Sequence, residues 1–360
     1  MKQMICNISK AAAMTITAIA FLLCACSRED INQSSYGLTT TISLNIPMLS
    51  SSSRATIEGS DEEKAIHNLR VIIFSESGES KNLTFDENYF NNGEGTIEIT
   101  DVPVGTVEMY VIANEASLGK DYSDVISLKD DVVTVNNSRK VLIIDENRTH
   151  FPKRGSEFPA TGLPMSWMSK TLTIYSPQYN ADNNIIPQKI DVKLQRCVAK
   201  LNITMTNVST EEDIVIDEMN FGAFFGDKLY LFQETNLDVP ANSSYVSKSY
   251  ENLKEPDDPT KEGITISKNN GSKNLVLYIY PTFAWTDSSK PSPYTIGFKT
   301  KTGVVYKPQY FINDYNNAFN SIPRNKQVNI NAKLSKSKVV DLIFSVENWN
   351  EINVEVPSFD

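Results

Sequence analysis

The chain has 360 residues, of which 40% are hydrophobic and 22% charged, a balance typical of a folded globular protein. Its formal net charge is −10, so it lacks the basic surface that binds nucleic-acid phosphates, and we expect no nucleic-acid partner. Only two histidines occur, His67 and His150, and neither lies in a recognisable motif, which argues against a histidine-based metal or acid–base site.

Residues 1–25 predict a signal peptide. Lys2 and Lys10 provide the positive start, and the apolar run 11–23 follows without a basic stop-transfer cluster behind it. A permanent membrane span is therefore the weaker interpretation.

The end of this segment resembles a bacterial lipobox. Leu23, Ala25 and Cys26 stand where that motif has a large aliphatic residue, a small residue and the cysteine that receives a lipid. The resemblance implies cleavage before Cys26, a lipid such as palmitate on Cys26, and an outer-membrane lipoprotein precursor. An ordinary signal peptide with incidental cysteines is the alternative.

After such processing, Cys197 is the one cysteine left besides the lipidated one, so no intramolecular disulfide can form. A nucleophilic role would require a neighbouring base. The sequence instead favours a small buried residue in a strand.

The first predicted strand covers residues 38–46. Its apolar set alternates strictly, which is typical of a half-buried strand; it comprises Leu38, Thr40, Ile42, Leu44 and Ile46. A Ser-rich linker, 48–56, follows and contains Arg54 and Ala55. A short helix is predicted at 61–66.

Short strands dominate the rest of the chain and predict an all-β protein with few short helices. A breaker-rich stretch ending at 163–166 indicates a domain junction, and the long run 189–205 should bend near Arg196. The polar segment 242–274 is predicted to be a surface loop.

The carboxy-terminal end alternates in two further sets. The first comprises Val340, Leu342, Phe344 and Val346, and the second comprises Ile352, Val354 and Val356. The simplest interpretation is that both strands complete the second domain.

No catalytic motif is present: we find no Walker loop, no Gly-x-Ser-x-Gly elbow and no His-Glu-x-x-His. We therefore predict no enzyme, no cofactor and no metal. The sequence leaves open paired carboxylates and a calcium site at the acidic runs 211–213 and 257–258.

Several segments together resemble the fimbrillin family, the lipoprotein-derived subunits of type V pili. They run in order through the chain and comprise 68–74, the Pro-Val-Gly turn at 103–105 leading to 111–114, 163–166, 196–201, Arg324-Asn325 before the strand at Gln327, and Trp349.

The resemblance implies two transthyretin-like β-sandwich domains in tandem. A trypsin-like protease cuts such subunits after an arginine in the linker and releases the first strand, and a strand from a neighbouring subunit fills the vacated groove. Here it implies a cut between Arg54 and Ala55, with the donor strand formed by Val340, Leu342, Phe344, Val346, Ile352, Val354 and Val356.

The implied organisation has five parts: a signal peptide, 1–25; a lipidated segment with first strand and linker, 26–54; two sandwiches, 55–165 and 166–338; and a donor tail, 339–360. The implied partners are other fimbrial subunits, the outer membrane through Cys26 before maturation, and host proteins or glycans. The alternative function is a surface-anchored lipoprotein, as pilus anchor, tip or binding module, that does not polymerise.

Overall fold

The structure is a computed structural model that describes residues 37–46, 61–76, 78, 80–90, 95–155, 161–233, 238–256, 258–282, 285, 289–311 and 321–335, and the main chain of 340–348. Two short α-helices occur in these ranges, α1 (Asp61–Lys64) and α2 (Val125–Asp130), and two 3-10 turns, Glu87–Tyr89 and Glu115–Leu118. None of the helices described is long and apolar enough to cross a membrane.

The strands of the first half are β1 (Thr39–Ile46), β2 (Asn68–Ser75), β3 (Ser80–Asp86), β4 (Gly95–Pro103), β5 (Gly105–Ala113), β6 (Val132–Val135), β7 (Ser138–Ile144), β8 (Lys153–Arg154), β9 (Met165–Ile174), β10 (Gln178–Tyr179), β11 (Ile185–Ile186), β12 (Gln188–Asp191) and β13 (Gln195–Arg196).

The strands of the second half are β14 (Ala199–Asn207), β15 (Ile214–Gly226), β16 (Lys228–Tyr230), β17 (Tyr245–Tyr250), β18 (Lys254–Glu255), β19 (Asp258–Glu262), β20 (Ile264–Ile266), β21 (Ser272–Ile279), β22 (Thr295–Thr300), β23 (Val305–Tyr310), β24 (Lys326–Leu334) and β25 (Val340–Asn348). The all-β prediction is confirmed.

Two sandwiches account for most of these strands. In the first, the sheet β12-β1-β4 packs on the sheet β13-β9-β5-β2-β3; in the second, β25-β24-β14-β21-β8 packs on β17-β15-β22-β23. Each pair of sheets encloses its own cluster of buried aliphatic and aromatic side chains, as expected when alternating residues of two sheets face each other. The predicted sandwich architecture is confirmed.

A third buried cluster joins the two sandwiches. Ile72 and Ile112, on the outer face of the first, pack in one cluster with Tyr278 and Tyr280 of the second, and the small sheet β16-β7-β6 contributes Ile143. The sandwiches therefore share an apolar junction.

The division between the sandwiches differs from the predicted boundary at 165/166. Strand β9 pairs along β5, and Met165, Ile174 and Val192 all belong to the first core. The second core begins with Ala199. The chain leaves the first sandwich at the bend around Arg196 that the sequence predicted.

The predicted loop 242–274 is wrong. Strands β17 to β20 and the start of β21 lie in this segment. Its residues are mostly polar because β17 and β19 are largely solvent-facing, and a one-sided edge strand carries a weak apolar pattern.

Candidate assembly interface

Strand β1 lies in the middle of its sheet. It runs antiparallel to β4, with Leu44 opposite Ile97, and parallel to β12, with Leu44 opposite Ile190. Ile42 and Leu44 are 0% exposed and Ile46 is nearly so. The strand therefore provides both a main-chain ladder on each side and three buried anchors of the first core.

The start of β1 departs from the predicted alternation. Leu38, expected on the buried face, is 44% exposed. The register slips between Thr40 and Ile42, opposite Asp101, whose φ of 54° marks a bulge in β4. Leu38 precedes β1, which begins at Thr39, whereas Thr40 is 3% exposed and keeps the predicted alternation.

The end of β1 is also tied on its β12 side. Asn45 Nδ2 donates to Asp191 Oδ1 at 2.9 Å, and the Val192 amide donates to the Asn45 carbonyl at 2.9 Å. The strand has no free edge along this stretch. Its removal would uncover polar main-chain groups of two neighbours at once.

The two processing sites of the sequence analysis lie outside the described residues. These are Cys26, and Arg54 with Ala55. The structure describes the chain up to Ile46, the last residue of β1, and again from Asp61, the first residue of α1. In sequence, the predicted cut therefore falls between a strand and a helix.

The tail is divided. The main chain of 340–348 forms β25, antiparallel to β24 within the second sandwich, with Val340 opposite Leu334 and Val346 opposite Val328. Leu342 and Phe344 fall opposite Ala332 and Ile330. The second set, Ile352, Val354 and Val356, lies outside the described residues.

The segments that suggested a family converge at the domain junction. Buried Arg324 donates from Nε to the Arg196 carbonyl at 3.0 Å and from Nη2 to Ser166 Oγ at 2.9 Å. It also donates from Nη1 to the Leu231 carbonyl at 3.0 Å. A guanidinium can satisfy carbonyls from several segments at once, so Arg324 holds three distant parts of the chain together.

Cys197 lies in the same place and is fully buried as a free thiol. Its amide donates to the Pro164 carbonyl at 2.8 Å, and the Asn325 amide donates to the Val198 carbonyl at 2.9 Å. Cys197 is thus a packed junction residue, in line with its predicted burial.

The two histidines lie beside different carboxylates and do not share a site. His67 Nδ1 lies 3.2 Å from Glu87 Oε2 on the surface, and His150 Nδ1 lies 3.4 Å from Asp145 Oδ1. Within the described ranges, no cluster of three or more His, Cys, Asp or Glu side chains has a metal-binding arrangement.

Asp145 is a buried acceptor at the junction. It receives the backbone amides of Thr149, His150 and Phe151 and the Tyr280 hydroxyl, at 2.8 to 3.2 Å. Burial alone would raise the pKa of Asp145, but these amide donors outweigh it and the pKa lies below its usual value. Asp145 is therefore a charged anchor between the sandwiches.

Sequence reasoning missed a buried ion pair at α1. Glu63 and Lys200 are both almost inaccessible, and Lys200 Nζ lies 2.7 Å from Glu63 Oε1. The Tyr278 hydroxyl donates to the same oxygen at 2.6 Å. No local pattern signals this cluster, because Glu63, Lys200 and Tyr278 come from three separate segments of the chain.

A crevice of about 420 Å³ opens beside the third buried cluster, which contributes Leu128 and Val141 to its lining. Its lining includes the rings of Phe74, Tyr110 and Phe232, which contact one another at centroid distances of 5.0 and 6.0 Å. Burial and the hydrogen bond to Glu108 raise the pKa of Tyr110, so its phenol remains a neutral donor.

Two ion pairs contribute to the same lining. Arg139 Nη2 donates to both oxygens of Glu108 at 3.1 and 3.3 Å, and Lys140 pairs with Asp238. Aromatic rings beside planar charged groups are typical of a site for a small ligand with apolar faces and polar edges.

Comparison with known proteins places this geometry in a family. The family model described as the major fimbrial subunit protein (FimA) matches residues 40–217, which includes β1 and the whole first sandwich. No curated protein sequence matches the chain.

Two solved structures share the fold. The tip fimbrial protein Mfa3 from Porphyromonas gingivalis, with a C-terminal truncation, has a TM-score of 0.51 at 16% identity, covering 86% of this chain and 100% of its own. A fimbrilin (FimA) from Porphyromonas gingivalis W83 has a TM-score of 0.50 at 14% identity, covering 88% of this chain and 99% of its own. At such identities the likeness is one of fold. The family-model match across the first sandwich shows that the chain belongs to the fimbrillin family of fimbrial subunit proteins.

Proposed function

We propose that this protein is a structural subunit of a cell-surface pilus that joins its neighbours by exchange of strand β1. As a fimbrillin it is a pilus-related adhesion protein of the cell surface. The observation that carries the proposal is the position of β1, which is central in its sheet, buries Ile42, Leu44 and Ile46 in the first core, and is followed by a segment containing Arg54.

Removal of β1 would leave a gap between two strands of the first sandwich. Its loss would open an apolar groove at the places of Ile42, Leu44 and Ile46 and two unpaired ladders along β4 and β12. Buried main-chain groups require partners, and another extended strand is the one element that can supply both ladders together.

Maturation in this proposal has two steps. The lipid on Cys26 holds the precursor at the outer membrane, and cleavage after Arg54 then separates β1 from the rest of the chain. Replacing Cys26 with serine should release the protein from membrane fractions. Palmitate labelling that persists in the Cys26→Ser variant would contradict the first step.

The donor segment we propose is 352–356, the second half of the tail. Residues 340–348 already pair with β24 inside their own sandwich, so they are less suited to serve a neighbour. The order Ile352, Val354, Val356 and Pro357 repeats the order Ile42, Leu44, Ile46 and Pro47 at the end of β1.

This correspondence gives a register and a direction. Ile352 takes the place of Ile42, and the donor runs parallel to β12 and antiparallel to β4, as β1 does. Each buried aliphatic side chain contributes about 1.5 to 3 kcal/mol. Residues 349–351, which separate β25 from the donor segment, span about 10 Å when extended at about 3.3 Å per residue, so the acceptor groove of the next subunit must lie close to the end of β25. Because the contact is head-to-tail, it leads to an open filament.

The test uses the full chain treated with trypsin under mild conditions. We expect a cut after Arg54, loss of the segment that contains β1, and uptake of a synthetic peptide of residues 349–360 in its place. A peptide with Val354 changed to Asp is the matched control and should not bind. If both peptides bind equally, or neither does, the exchange mechanism is wrong.

The crevice favours a second function, a surface-anchored module that binds a small ligand. We infer a saccharide, because half-buried aromatic rings match the apolar face of a pyranose and the Glu108–Arg139 pair can bond to its hydroxyls. In saturation-transfer NMR with methyl glucoside, methyl galactoside and N-acetylneuraminic acid, at least one should bind and lose binding on Tyr110→Ala. Binding by none of the three would remove this function.

A further inference from the structure

Helix α1 is the first described element after the segment that contains Arg54, and it is anchored in the other sandwich. The Glu63 carboxylate pairs with Lys200 of β14 at 2.7 Å and accepts from Tyr278 of β21 at 2.6 Å. Its main-chain carbonyl accepts from Arg196 Nε at 3.1 Å. One residue of α1 is therefore fixed by three residues of the junction and the second sandwich.

These interactions are buried and charged. The side chains of Glu63 and Lys200 are 3% and 9% exposed. Burial, the charge of Glu63 and the hydrogen bond to it raise the pKa of Tyr278, so the phenol stays a proton donor. Separating such a pair would leave each charge without its partner in a site that excludes water, which is strongly unfavourable.

The main chain next to Glu63 is held as well. Asn114 Nδ2 donates to the Ala65 carbonyl at 2.9 Å, and the His67 amide donates to Asn114 Oδ1 at 3.0 Å. Ile66 packs in the first core. The chain from 63 to 67 is thus fixed on both sides.

Lys64 lies inside this fixed stretch. It is the first lysine or arginine after Arg54 in the sequence, and hence the next site for a protease that cuts after basic residues. Proteases cut segments that can extend into their clefts, so a residue in an anchored helix is cut only after the helix opens.

We propose that the cluster of Glu63, Lys200 and Tyr278 sets the end point of maturation by preventing cleavage after Lys64. Each cut is a hydrolysis by a trypsin-like protease: water adds across the peptide bond, which breaks into a carboxylate and an amine. The first cut frees β1. A second cut would remove Glu63 itself, and with it the bond between α1 and the second sandwich. The inference depends on the proposed cleavage after Arg54.

The experiment is a time course of mild trypsin treatment of the full chain in the presence of the 349–360 peptide, which refills the place of β1, followed by intact mass. The unmodified protein should stop at a chain that begins with Ala55. Glu63→Gln and Lys200→Met should each produce a chain that begins with Ala65, with cleavage after Lys64 roughly tenfold faster or more. The matched control is Glu62→Gln, in the same helix but exposed, which should stop at Ala55.

Two further variants separate anchoring from a general loss of fold. The double variant Glu63→Gln with Lys200→Met removes both charges of the pair and should regain part of the protection, since Lys200 no longer lies unpaired while buried Arg196 still lacks the nearby charge of Glu63. Glu62→Arg adds an exposed basic residue within α1 and should stay uncut at that residue.

The outcomes distinguish the two ideas. If Arg54 resists in all variants while Lys64 still becomes sensitive on Glu63→Gln, the cluster protects α1 but the maturation site is wrong. If Lys64 is cut at the same rate in the unmodified chain and in Glu63→Gln, or if Glu62→Arg is cut readily, the inference about the cluster is overturned.

Discussion

Strands β1 and β25 lie near opposite ends of the chain and occupy opposite kinds of position. β1 is the central strand of its sheet, with a neighbour on each side, whereas β25 is the last strand of its sheet and, among the strands that the structure describes, pairs with β24 alone. Ile42 and Leu44 of β1 are fully buried in the first core.

This difference shows what makes a strand exchangeable. Loss of an edge strand uncovers one ladder, which solvent or a charged edge can tolerate. Loss of a central strand uncovers two ladders and part of a core, so the vacancy strongly favours any strand that fits it. In the proposed exchange, β1 would therefore mark the acceptor groove, and β25 would hold the proposed donor segment in place.

The largest effects on folding and on assembly should come from two deletions, one that removes β1 and one that removes the end of the tail. Deleting residues 1–46 without a donor should unfold the first sandwich, because the three lost anchors amount to about 5 to 9 kcal/mol, comparable with the stability of a whole domain. Deleting 349–360 should leave thermal unfolding unchanged and abolish polymers. Hydrogen exchange by mass spectrometry distinguishes the two, and equal protection of the first sandwich in both would contradict the comparison.

A smaller but still large effect is expected from Val354→Asp. A buried carboxylate in the groove would cost several kcal/mol, so ladders on mild-denaturant gels should disappear while the unassembled chain unfolds at the same temperature. Ser358→Asp, which adds the same charge outside the apolar set, serves as the control. Unchanged ladders in Val354→Asp would exclude 352–356 as the donor.

The third prediction concerns Asp145, which lies outside both strands. Asp145→Asn should lower the free energy of unfolding by about 1 to 3 kcal/mol at pH 7, through weaker bonds to three amides, and leave peptide uptake unchanged. Because its folded pKa is lowered, the stability it provides is present above about pH 4 and is lost as pH falls through the folded pKa. The difference between the two proteins in chemical denaturation should therefore shrink in acid; a constant difference would contradict the charged anchor.

The smallest effect tests the register. If Ile352 replaces Ile42, Glu355 takes the place of Asn45 and faces Asp191, where Asn45 now donates a hydrogen bond at 2.9 Å. Glu355→Asn should then tighten binding of the tail peptide by about 0.2 to 1 kcal/mol, the usual range for a cross-strand pair. Asp191→Asn in the acceptor should remove the gain, and a gain that persists there would indicate another register.

The alternating first strand and the all-β character could be predicted from the sequence because each depends on neighbouring residues, whereas the lipobox stays a prediction. Alternation of Ile42, Leu44 and Ile46 indicates one buried face in any sheet. The same rule failed at Leu38, because β1 begins only at Thr39 and Leu38 lies before the strand. It also failed at 242–274, where edge strands carry few apolar residues.

The sequence by itself therefore determined the all-β character, the core-facing residues Ile42, Leu44 and Ile46 of β1, and which family the chain resembles. Tertiary structure decided that β1 is central and β25 is at an edge, since strand order depends on pairings between distant residues. It also decided that Glu63, Lys200 and Tyr278 meet, and that Arg324 joins three segments. Such contacts arise from the packing of two sandwiches. The periodicity of a sequence shows which residues share a face, but it does not show which distant residues will meet.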